Sequence, residues 1–169
     1  MNGHGSGLKW FFYALGVVPV WILETMVFNR LTPFGVIPLL LPLAGAAVAL
    51  WEGPVPGGAF GLCLGVVADA VYPGTPGGMT LGLALLGCLV GLLAENGVRQ
   101  NFFGYLLCAA ICMLLLDGVR VLWGAVSGLG PIGALALVGV KEAGWSLCFT
   151  VLVYPIFKLI HRKAGGSRT

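Results

Sequence analysis

Charge is what this chain has least of. Only 9% of its 169 residues are Asp, Glu, Lys or Arg, against 59% hydrophobic, and the mean hydropathy is +1.00. A water-facing surface needs about 25–35% of its residues charged, so a soluble globular domain is excluded. Histidine is nearly missing: His4 and His161 sit at opposite ends. The five cysteines (Cys63, Cys88, Cys108, Cys112, Cys148) all lie in apolar segments, with no CxxC among them. Cys108 and Cys112 can share a helix face, but no histidine or carboxylate lies near them in sequence to complete a metal site. They read as small buried hydrophobes, and no metal or other cofactor is expected. Hydrolysis or phosphotransfer in lipid needs a paired acid and base, a metal cluster or an activated nucleophile. The chain has no His-rich helix and no Asp-xx-Asp pair, and Ser146, the one serine inside a span, has no flanking base. An enzyme is not expected, and at a net charge of only +3 neither is a nucleic-acid partner.

Long apolar stretches recur from end to end, and about 20 such residues cross a bilayer as a helix. We expect an all-α, polytopic membrane helical bundle, one domain over residues 1–169. Its six or so spans are Leu8–Phe28, Thr32–Trp51, Val55–Tyr72, Met79–Glu95, Phe102–Val126 and Glu142–His161. The apolar run after Lys9 closes on no small-residue cleavage site, so no cleaved signal is expected. Ser127–Val140 is the one longer connection, and its Ile132–Val140 stretch is too short to span, so it lies at the interface or re-enters. With both termini cytoplasmic, Lys9, Arg99, Lys158, Arg162, Lys163 and Arg168 are inside and Arg30, Arg120 and Lys141 outside, in keeping with the positive-inside rule. Pro19, Pro38, Pro42 and Pro155 are expected to kink the first, second and sixth spans.

Glycine is abundant, at 28 residues. Gly57, Gly61 and Gly65 precede Asp69 at four-residue steps, each drifting only about 40° around a helix, so all four share one broad face. Small residues so spaced let backbones approach closely in lipid. Gly78/Gly82 and Gly87/Gly91 repeat the spacing, so the third and fourth helices should pack tightly; a glycine face left over on the third can receive a helix of another subunit, a second copy included. Asp69 has no basic residue within a turn. It either ties the end of its helix to the Gly74–Gly78 loop or contacts a partner. Asp117 and Arg120, three apart, can pair on one face. Glu24, a turn or so from Arg30, reads as an interfacial pair or a snorkelling residue, and Glu52 and Glu95 read as solvated helix ends.

These residues resemble a known family, the rod shape-determining protein MreD. Phe60 and Gly65-Val66-Val67-Ala68-Asp69, followed by Gly74 and Gly77-Gly78, look like its G-x-x-x-D helix and glycine loop. Pro38–Trp51 stands where its second or third span would, Leu116-Asp117 with Trp123 is similar to its acid-plus-tryptophan helix, and Tyr154-Pro155-Ile156-Phe157 with His161-Arg162-Lys163 is similar to its final aromatic-Pro helix and basic tail. The resemblance covers roughly residues 8–163. It implies a non-enzymatic component of the bacterial inner membrane that binds MreC, a single-span protein. Through MreC it would connect indirectly to MreB filaments and the peptidoglycan synthases. Partner and packing residues are then Gly57, Gly61, Gly65, Asp69, Gly74, Gly78, Asp117 and Arg120. That family's fold is similar to the substrate-binding S components of energy-coupling-factor vitamin transporters, which supply the rival reading. Against it, the first helix carries only Ala14 where an Ala-xxx-Ala docking face would stand, and polar groups for a vitamin pocket are scarce on the outer side.

Overall fold

The computed structural model describes residues 3–28, 38–71, 77–97, 101–128 and 131–163, and the elements among them are all helical. Helix α1 (Gly3–Ile22) runs on as a π-helical turn, Leu23–Phe28. Then come α2 (Leu41–Glu52), α3 (Pro54–Val71), α4 (Gly78–Glu95), α5 (Phe102–Val126), α6 (Ile132–Cys148) and α7 (Thr150–Lys163).

Helix α2 is the axle. Every residue from Leu41 to Trp51 is buried, and α1, α3, α4, α5 and α7 all pack against it. Its LPLAGAAVALW sequence explains why: alanine and glycine on most sides leave room for five neighbours. Pro42 stands in its first turn, where a missing N–H costs nothing, and Pro38 lies in the non-helical segment ahead of it. Among the described residues neither proline stands in a helix interior; Pro42 sits where α2 begins and Pro38 just ahead of it. At 12 residues and 1.5 Å per residue, α2 is roughly 18 Å long, short of the ~30 Å hydrocarbon layer. Residues 29–37, which would complete the expected span Thr32–Trp51, lie outside the described residues.

Among the described residues three helices, α3, α4 and α5, are long and apolar enough to cross a membrane; α6 and α7, bent by 50° at the break between them, pass the same test only when taken together, as one broken span or as a re-entrant loop. The chain is thus a helical, multi-pass membrane bundle by length and composition. The last expected span is corrected in two ways. Ile132–Val140, expected to lie at the interface or to re-enter, forms the first half of the 17-residue α6, so the helix begins ten residues before Glu142. The bend falls at Phe149 rather than at Pro155, which lies within α7; the Thr150 hydroxyl donates to the Leu147 carbonyl at 2.6 Å across the break.

Candidate functional site

Gly57, Gly61 and Gly65 line the contact of α3 with its neighbours. A β-carbon on Gly57 would stand 2.6 Å from Ala49 Cβ and 2.8 Å from the Gly87 carbonyl oxygen. On Gly61 it would run into the Leu83 backbone and on Gly65 into that of Thr80; in return, Gly87 abuts the Gly57 backbone and Gly91 abuts Pro54. Tight packing of the third and fourth helices is what the glycine spacing called for. The face is closed from within the chain, so α3 has no leftover glycine face for a second copy.

Asp69 lies near the C-terminal end of α3 and accepts three bonds from the first turn of α4. Met79 N–H donates to Oδ1 at 3.2 Å, Thr80 N–H to Oδ2 at 3.0 Å, and the Thr80 hydroxyl to Oδ2 at 2.6 Å. These N–H groups are ones a helix start leaves without intrahelical partners, and the carboxylate also meets the positive end of the α4 dipole. Gly77, at φ 79°, supplies the left-handed turn that delivers them. Gly78 opens α4 and is exposed. Gly74 lies outside the described residues.

Asp117 and Arg120 come together only loosely, with Nη1 3.7 Å from Asp117 Oδ1. The closer partner was not singled out in the sequence: Glu142 of α6, whose Oε2 accepts from Arg120 Nη1 at 2.9 Å. Glu142 begins no span, as its place in the sequence had implied, but sits buried in mid-helix. Beside Arg120, a cavity of about 360 Å³ opens between the start of α4 and the second half of α5, lined by Gly78, Met79, Gly82, Leu116, Arg120 and Trp123 among others. Its walls are apolar apart from that guanidinium.

Two further polar junctions escaped the sequence reading. Glu24, in the π-helical turn, is only 1% exposed. It does not reach out to solvent: its Oε2 accepts from the N–H groups of Leu40 and Leu41 at 3.2 and 3.0 Å, while Ser146 Oγ of α6 accepts from Leu39 N–H at 2.9 Å. A helix start buried at membrane depth must find such acceptors inside the protein. Arg30, its expected partner, lies outside the described residues. At the other end of α2, Glu52 is not a solvated residue but a hub. Lys9 Nζ lies 2.6 Å from Oε2, the Tyr13 hydroxyl donates to Oε1 at 2.8 Å, and His161 Nδ1 lies 3.1 Å from Oε1 and 3.0 Å from the Tyr13 oxygen. Trp51 stacks on the His161 ring, centroids 5.9 Å apart. Burial pushes the Glu52 carboxyl up, but bonds from Lys9, Tyr13 and His161 outweigh it and hold the group below its ordinary value. Ser146 as the lone serine in a span, and His161 beside an aromatic run, were the available signals.

Among the described residues no three His, Cys, Asp or Glu side chains stand close enough to hold a metal ion. No protein-family model matches the chain, and no curated protein sequence matches it.

Proposed function

We propose that this chain is a non-enzymatic scaffold of the bacterial cytoplasmic membrane that binds a single-span, MreC-like partner in the machinery of lateral cell-wall synthesis, as the resemblance to the MreD family implies. The observation that carries the scaffold reading is where the carboxylates go. Glu24 ties α1 to α2, Glu52 ties α2 to α1 and α7, and Asp69 ties α3 to α4. Each is a joint between helices, whereas acid–base chemistry needs a carboxyl group within reach of a substrate.

The six-crossing topology belongs to the same proposal, with the segment closed by α2 as the second crossing and bent α6–α7 as the last. The Glu52 hub supports it: the starts and ends that meet there belong to α1, α2 and α7, so even numbers of crossings separate them. The outward apolar side chains of the α5–α6 hairpin, among them Leu122, Trp123, Leu137 and Val140, give a partner helix an apolar face.

One observation favours a second reading, the vitamin-binding S component: the cavity beside Arg120 lies within the ~300–1,000 Å³ range of small-ligand sites. Its one charged wall residue is already engaged by Glu142. Affinity purification of the tagged chain from its native membrane separates the two. The scaffold predicts a co-purifying single-span protein; recovery of an ATPase module, or of a tightly held vitamin, would replace it with the transporter.

A further inference from the structure

We infer that Asp117 is a proton-binding site within the bundle, an un-ionised carboxylic acid standing beside an ionised Arg120–Glu142 pair. One guanidinium faces two carboxyl groups, whose side chains are only 10% and 9% exposed. With both ionised, the cluster would hold one uncompensated negative charge in an apolar hairpin, and such a charge costs far more there than a bound proton.

Geometry decides which group takes the proton. Glu142 Oε2 makes the 2.9 Å charge-assisted bond to Arg120 Nη1, while Asp117 Oδ1, at 3.7 Å, is beyond hydrogen-bond reach. Asp117 Oδ2 is closed off and has no hydrogen-bond donor among the described residues. An ionised carboxylate has about four lone-pair sites to satisfy; those of Asp117 Oδ2 meet no donor among the described residues. Nor does the site offer room for a larger cation at that oxygen. That oxygen is closed to anything the size of a water molecule, with the α6 backbone at Gly139 packed against the Asp117 side chain. The charged groups acting on Asp117 are Arg120 from its own helix and Glu142 from α6, and neither supplies what Oδ2 lacks. A proton is the ligand that fits.

The site does not depend on the scaffold reading, and it makes the α5–α6 hairpin responsive to protons: ionising Asp117 would set it in competition with Glu142 for one guanidinium. Infrared spectroscopy of the purified full chain in lipid nanodiscs at neutral pH tests this. The expected result is a carbonyl stretch of an un-ionised carboxylic acid that shifts when aspartate is labelled with carbon-13 at its side-chain carboxyl, and stays put when glutamate is so labelled. The band should vanish in Asp117→Asn. It should also vanish in Glu142→Gln, because Asp117 then becomes the sole counter-ion of Arg120. The wild-type labelling needs no variant to fold. Absence of the band, a shift with the glutamate label, or survival of the band in either variant overturns the inference.

Discussion

Asp69 gathers three donors of α4 into one side chain, and this sets how its substitutions should rank. Asparagine keeps the shape and one acceptor oxygen; leucine leaves the Met79 and Thr80 N–H groups unmet at about 1–3 kcal/mol each. Thermal unfolding in nanodiscs should fall from wild type to Asp69→Asn and further to Asp69→Leu, and equal losses would remove the capping role. Asp69 was legible in the sequence because it stands alone on an apolar face with glycines behind it. Glu24 was not. It accepts from backbone N–H groups 16 and 17 residues away, which no side-chain pattern announces. Glu142 was missed because its partner Arg120 lies 22 residues back, while Asp117 stood at tempting helical spacing.

Between elements, the α3–α4 seam is built from backbone against backbone. At Gly61 and Gly65 the obstacles to a β-carbon are main-chain atoms of Leu83, Met79 and Thr80, which cannot swing aside as a side chain can. Even alanine should therefore lower the melting temperature at either position. Gly118 of α5 has nothing within 4 Å of the same test atom, so Gly118→Ala should be neutral or stabilising by up to ~1 kcal/mol from helix propensity. If Gly61→Ala and Gly65→Ala melt like wild type, the close approach is wrong. Helix limits read well where turns punctuate apolar runs: α5 matched at both ends, and α3 and α4 to within one residue. They read badly where tertiary contacts override the pattern. The apolar run through Pro38–Trp51 hid the late start of α2, because Glu24 and Ser146 supply the acceptors that let the backbone begin its helix there. The longer connection read at Ser127–Val140 hid the first half of α6, which runs unbroken from Ile132 to Cys148.

For the molecule as a whole, the Glu52 hub is the clasp that joins α1, α2 and α7. Because its folded carboxyl lies below the ordinary value of 4.5, the unfolded chain binds a proton there more readily, and stability rises with pH. The contribution is complete above the ordinary value and is lost as pH falls through the lowered one. Melting temperature should drop on acidification in that window, and the drop should be smaller in Glu52→Gln. An unchanged acid slope in that variant would show that the clasp adds nothing. Helix α2 carries a last consequence, for biogenesis. Surrounded on all sides, it has no lipid-facing stripe with which to settle alone after leaving the ribosome. Glu24 is synthesised ahead of it and can meet Leu40 and Leu41 at once, but the acceptor for Leu39 arrives 107 residues later, with Ser146. Maturation of the innermost helix therefore waits on the last part of the chain, and a nascent product truncated before α6 carries an unmet backbone donor at its centre, the kind of defect by which membrane quality control can tell an unfinished protein from a finished one.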